Sequence, residues 1–73
     1  MGKRKVSLTN SVREHRAAAG GMTQQQLADI VGVTRQTVNA IEANKYSPSL
    51  EVAFLIAGSL NARLEDVFGL TTD

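Results

Sequence analysis

The sequence predicts an all-α domain of five short helices, with an extended segment near each end. Three observations carry this expectation. Two helix-opening signatures, Thr23-x-x-Gln26 and Thr34, stand one short helix apart with Gly32 between them. The stretch Leu50–Leu60 is apolar around much of a helical circumference. Gly20-Gly21, Asn61 and Gly69 then punctuate the chain at helical intervals. With 73 residues, the chain makes one small domain with a limited core.

Taken in order, KVSL (residues 5–8) alternates polar and apolar positions around β-branched Val6 and suits a short strand. Asn10 is a candidate N-cap, and Ser11-x-x-Glu14 offers a capping box one residue later. The first helix then runs to about Ala19 and stops at Gly20-Gly21. The second spans about 24–31, opened by the Thr23/Gln26 box, with Leu27, Ala28 and Val31 as its apolar stripe. Gly32 suits a left-handed turn, Val33 points inward, and Thr34 caps a third helix over about 34–43 that turns Val38 and Ile41 to the core. Pro48 fits a first helical position, with Ser47 or Ser49 as cap, opening a fourth helix expected to be the central core element. RLEDVF makes one short helix that Gly69 ends, and VFGLTT can extend as a last strand.

Composition narrows the chemistry. There is no cysteine and a single histidine, His15, so disulfides and a self-contained zinc site are excluded. No cofactor is expected. An enzyme is disfavoured, since no glycine-rich phosphate loop is present and no second histidine-type base could organise a nucleophile. No apolar run is long enough to span a membrane, and MGKRKVSLTN lacks the apolar stretch of a signal peptide, so a cytoplasmic protein is expected. Net charge is only +1, but it is unevenly spread. Lys3, Arg4, Lys5, Arg13 and Arg16 crowd the start, while Glu51, Glu65, Asp66 and Asp73 outnumber Arg63 at the end. Such asymmetry can give one face a positive field, or simply a soluble basic tail.

Two short helices joined tightly around Gly32 must cross steeply. Ala28 supplies the small residue such a crossing needs, Gly32 the positive φ, and Val38 and Ile41 the aliphatic packing. The third helix also carries Arg35, Gln36 and Asn39 away from that packing face. The stretch MTQQQLADIVGVTRQTVNAIEANKYSPSLEVAFLIAGSL resembles the Cro/CI-type (XRE) helix-turn-helix family of transcription regulators, in its short single-domain members. The resemblance covers residues 10–68, with 1–9 as a basic arm or strand and 69–73 as a terminal strand or tail. It implies the five-helix lambda-repressor-like fold, in some members with a small antiparallel sheet from the terminal segments. It also implies homodimeric binding to operator DNA with the third helix as reader. Two departures stand out: Gly20-Gly21 is one residue longer than the family's turn, and Arg63 stands where Ser or Thr usually caps the last helix.

The chemistry of groove reading assigns the residues. Arg makes two bonds to guanine, and Asn or Gln two to adenine, so Arg35, Gln36 and Asn39 are the candidate base readers. Thr34 and Thr37 can reach a phosphate or a thymine methyl. Gln24, at the start of the second helix, and Asn44, Lys45 and Tyr46, after the third, are candidates for the DNA backbone. Most have a plainer alternative: Arg35 and Gln36 as solvated surface, Thr34 as a cap alone, Gln24 as a helix former, and Lys45 and Tyr46 as loop surface or, for Tyr46, packing; Asn39, a poor mid-helix residue, is harder to explain that way. The resemblance pairs Arg16 with Glu42 as a structural tie, provided the extra glycine lies after Arg16. His15 reads as a half-buried packing residue. Leu64, Val67, Phe68 and Leu70, with the N-terminal strand, are the candidate dimer surface, and Phe68 serves equally well as core.

The leading expectation is thus a repressor that binds a near-palindromic operator, with no small-molecule effector domain evident. A different class remains open: a protein-interaction module such as an antitoxin or a bridging adaptor.

Overall fold

A computed structural model of the chain describes residues 6–72; the basic run Lys3–Lys5 and Asp73 lie outside them. Five helices follow one another between two strands. Strand β1 (Val6–Asn10) pairs antiparallel with β2 (Phe68–Thr72), in register from Val6↔Thr72 to Asn10↔Phe68. The small terminal sheet is therefore present, and β1 runs two residues past the expected Leu8.

Helix α1 (Val12–Ala18) starts later than Asn10 and without the Ser11/Glu14 box. Asn10 Oδ1 accepts from the Val12 N–H at 3.1 Å instead, while Ser11 Oγ donates to the Asp66 carbonyl at 3.1 Å. A tertiary bond has taken the hydroxyl the local pattern reserved for a cap. After α1, Gly20 and Gly21 both sit at φ +78°, and the turn closes when the Met22 N–H bonds the Arg16 carbonyl at 3.0 Å. The extra glycine therefore lies after Arg16.

Helix α2 (Gln24–Val31) forms both halves of its box: Gln26 N–H to Thr23 Oγ1 at 3.0 Å, and Thr23 N–H to Gln26 Oε1 at 2.9 Å. Gly32 has φ +87°, and its N–H and that of Val33 both bond the Ala28 carbonyl, at 2.8 and 3.0 Å. A Cβ added to Gly32 would meet no heavy atom within 4 Å, so the turn requires glycine for its dihedral and not for space. Helix α3 (Arg35–Glu42) follows, capped by Thr34 Oγ1 accepting from the Thr37 N–H at 3.1 Å. Ala28 is fully buried, as a close α2–α3 crossing requires.

Helix α4 (Leu50–Ser59) is capped by Ser49, whose Oγ accepts from the Val52 N–H at 3.1 Å. Pro48 therefore precedes the cap and is not the first helical residue, a correction to the sequence expectation. The hydroxyl satisfies the orphan donor, and proline sets the approach. Helix α5 (Leu64–Val67) is a single turn. A guanidinium cannot accept a hydrogen bond, so only the reverse half of a cap survives there: Arg63 N–H to Asp66 Oδ2 at 3.2 Å.

The core gathers Val12, Leu27, Val38, Ile41 and Ile56, all at most 1% exposed, with Ala28, Ala53, Ala57 and Leu60 between them. Two expectations change here. Helix α4 is not enclosed: it buries Ala53, Ile56 and Ala57, but Leu50, Phe54 and Leu55 are each more than half exposed. Val67 is buried in the chain's own core and offers a partner almost nothing, and Phe68 is buried too, the core alternative already open for it. Because α5 is one turn running straight into β2, it delivers both side chains inward. Leu64 packs half-buried against the core, and Leu70 extends past it at 67% exposed.

Candidate nucleic-acid interface

Helix α3 divides cleanly around its axis. At about 100° per residue, Arg35, Asn39 and Gln36 fall on one continuous arc, and Val38 and Ile41 lie across from it. The first three are exposed, and the last two are buried to 1%. Ala43, at the C-terminal end of the same arc, is exposed too, and sequence reasoning passed over it. Its small side chain leaves the far end of the arc open to close approach.

The helix is held from beneath at both ends. At its N-terminus Thr34 is the cap, and its Oγ1 also lies 2.9 Å from Thr37 Oγ1. At its C-terminus Glu42 would meet the unfavourable end of the helix dipole. Arg16 of α1 answers it: Nε donates to Glu42 Oε2 at 2.7 Å and Nη2 to Oε1 at 2.9 Å, with the two side chains 14 and 8% exposed. The hydrogen bond to Glu42 raises the Arg16 pKa above its usual value, with burial pulling the other way. Arg16 Nη1 also donates to the Met22 carbonyl at 2.8 Å, tying the loop before α2 to the same point.

Gln24 joins this tie, donating from Nε2 to Glu42 Oε1 at 3.1 Å. Its side chain is thus engaged between α2 and α3 and is not simply extended toward solvent, a role the sequence reading did not foresee. Three helices meet at one carboxylate, and α3 cannot shift against α1 and α2 without breaking a charged, mostly buried contact.

Beyond α3 the chain turns through Asn44, which takes φ +59°, and the Lys45 N–H bonds the Ala40 carbonyl at 2.9 Å. Asn44, Lys45 and Tyr46 are all exposed. Among the described residues the ion pairs are Arg16–Glu42 and the exposed Arg63–Glu65, so neither Arg35 nor Lys45 has an anionic partner. Asn10 reaches this turn from β1, with Nδ2 donating to the Ile41 carbonyl and to Asn44 Oδ1, each at 2.9 Å. The sequence reading saw Asn10 only as a cap for α1, because no local pattern announces a contact across 31 residues. His15 is half-buried, its Nδ1 2.9 Å from the Ser11 carbonyl.

Among the described residues no group of His, Asp and Glu is placed to hold a metal, and no helix is long and apolar enough to cross a membrane. The arrangement is a rigid helix presenting one arginine and two amides, followed by a turn presenting a lysine. Those groups suit directed hydrogen bonding to a surface rich in acceptors.

The chain is also similar to known proteins. A helix-turn-helix family matches residues 12–71. Relatives include an HTH-type transcriptional regulator of Archaeoglobus fulgidus, 53% identical over 78% of this chain and 80% of its own length. Another, from Methanothermobacter thermautotrophicus, is 51% identical over 85% of this chain and 90% of its own. A third, from Bacillus subtilis, is 48% identical over 86% and 94%.

Proposed function

Since the chain belongs to the helix-turn-helix family of transcriptional regulators, we propose that it is a sequence-specific repressor that binds a near-palindromic operator as a homodimer, with α3 in the major groove. The observation that carries this reading is the outward arc of α3. Arg35, Gln36 and Asn39 are exposed on a helix whose other face and both ends are fixed. A rotamer-rich arginine and two amides gain nothing for the fold there, but they match the acceptor and donor edges of guanine and adenine. Asn44, Lys45 and Tyr46 flank the groove as backbone contacts, and Thr34 and Thr37 stand where the helix enters it. Seated over a promoter, such a protein acts by excluding other proteins from the DNA.

The homodimer rests on a second surface. Leu50 and Phe54 stand one turn apart on α4, more than half exposed, and Leu50 lines an apolar groove with Leu8, Ala53, Leu64 and Leu70. A second copy of the same face is a self-complementary cover for it. Two reading helices then meet successive major grooves about 34 Å apart.

Selection of bound duplexes from a random pool tests the reading. The expected result is an enriched inverted repeat, and Arg35→Ala or Asn39→Ala should lose about 1–3 kcal/mol of binding and relax preference at one base pair per half-site. A pool that returns no common sequence overturns the sequence-specific reading. Recovery of one stoichiometric protein partner, with no shift of any DNA, would favour an interaction module instead.

A further inference from the structure

Asn10 makes three hydrogen bonds, and their directions are not interchangeable. Its Oδ1 faces the Val12 N–H at 3.1 Å, which can only donate. Its Nδ2 faces the Ile41 carbonyl at 2.9 Å, which can only accept. Two backbone groups therefore fix which way this amide points. The remaining Nδ2 hydrogen meets the side chain of Asn44 at 2.9 Å, and only the oxygen of that amide can receive it. The polarity passes on: with its Oδ1 held by Asn10, Asn44 turns its Nδ2 away. Among the described residues that Nδ2 has no hydrogen-bond partner. Asn44 itself is exposed, its backbone held in the left-handed region at φ +59° by its N–H bond to the Ile41 carbonyl at 3.0 Å.

We infer that Asn10 is a positioning residue for DNA backbone contact: it orients the Asn44 amide so that the turn after α3 presents a donor, and not an acceptor, to a phosphate. The inference rests on the DNA-binding reading above and deepens it. A phosphate oxygen accepts and never donates, so an Asn44 amide turned the other way would set an oxygen against it. Asn10 lies at the last paired position of the sheet, opposite Phe68, and the next residue, Ser11, bonds the Val67 carbonyl through its N–H at 2.8 Å. The residue that sets the donor is thus anchored to the far end of the chain as well as to the end of α3.

The test is a double-mutant cycle with Asn10→Ser and Asn44→Gly, titrated against the selected operator and against random-sequence duplex. Serine retains an acceptor for the Val12 N–H but cannot reach Ile41 or Asn44, and glycine at 44 keeps the positive φ while removing the amide. Asn10→Ser should weaken binding to both duplexes by the same factor, about two- to tenfold, because a phosphate contact carries no sequence information. In the Asn44→Gly background it should have no further effect.

Asn10→Asp keeps the cap and removes the donor. It should draw the Asn44 NH2 inward and, measured where the variant is still folded, weaken binding more than serine does, although an oxygen set against the Ile41 carbonyl should also lower its melting temperature. A measurement on the wild-type chain stands apart from any folding loss: side-chain amide exchange should be slow for Asn10, fast for Asn44, and slowed at Asn44 on adding DNA.

Independent losses at the two positions, wild-type binding by Asn10→Ser, a loss confined to the operator, or an Asn44 amide that DNA does not slow would each overturn the inference. A wild-type chain that binds neither duplex overturns the DNA-binding reading, and this inference with it.

Discussion

Helices α3 and α4 each expose one face, and the two faces have opposite chemistry. On α3 the exposed arc is Arg35, Gln36 and Asn39, while on α4 it includes Leu50, Phe54 and Leu55. Both helices anchor themselves the same way, through a side-chain cap and a few aliphatic residues in a shared core. Burial thus accounts for their inner faces and leaves the outer ones unexplained by folding. Exposed polar groups with directional bonds suit a patterned, hydrogen-bonding partner. An exposed apolar stripe suits a partner with the same need to leave water. The proposed division is DNA for α3 and a second copy for α4.

The largest expected effect tests the support beneath α3. Arg16→Ala leaves the mostly buried Glu42 carboxylate without a cation, with Gln24 alone donating to it, and should cost about 3–5 kcal/mol in urea unfolding. DNA binding should fall with it. A loss below about 1 kcal/mol would class the pair with ordinary surface ion pairs, and the fixed position of α3 would need another cause.

Next comes the α4 face. Phe54→Glu should convert the proposed dimer to monomer in sedimentation, since covering the exposed half of the phenyl ring contributes about 0.8–1.6 kcal/mol per protomer. Because Phe54 is already 55% exposed, the unfolding free energy of the monomer should fall by only about 0.7–1.4 kcal/mol. A wild-type chain that is monomeric at micromolar concentration, or a variant that remains dimeric, would break the contrast between the two helices. DNA-induced pairing would then be the form of dimer left to test.

Which features the sequence disclosed depends on how local their causes are. The α2–turn–α3 unit was legible because its caps, its glycine and its small crossing residue each act within a few positions. The terminal sheet came from resemblance and not from KVSL alone, since a pairing between the two ends of the chain has no local signature. The exposure of α4 was hidden: when Leu, Val, Phe and Ile surround a helix, periodicity cannot say which side meets solvent. Val67 misled for a related reason, and Phe68 had to keep both readings, because a run of apolar residues does not show whether it fills its own core or another's. Within the candidate site, Arg35, Gln36 and Asn39 could be placed from spacing. The Gln24–Glu42 bond and the Asn10 contacts could not, because they join residues distant in sequence.

The smallest expected effect separates reading from holding on the DNA side. Lys45 is exposed, its backbone is tied to Ala40, and among the described residues its ammonium pairs with no carboxylate. Its role in the fold is therefore slight, and Lys45→Ala should leave unfolding unchanged. If its ammonium lies against a phosphate, removing it leaves one fewer counterion to release, so the log–log slope of affinity against salt should shrink by about 1. The loss should be the same for operator and random duplex, unlike the base-specific loss expected for Arg35→Ala. An unchanged slope removes Lys45 from the backbone contacts and leaves the turn to Asn44 and Tyr46. A loss confined to the operator would instead place Lys45 among the readers, extending the reading surface beyond α3.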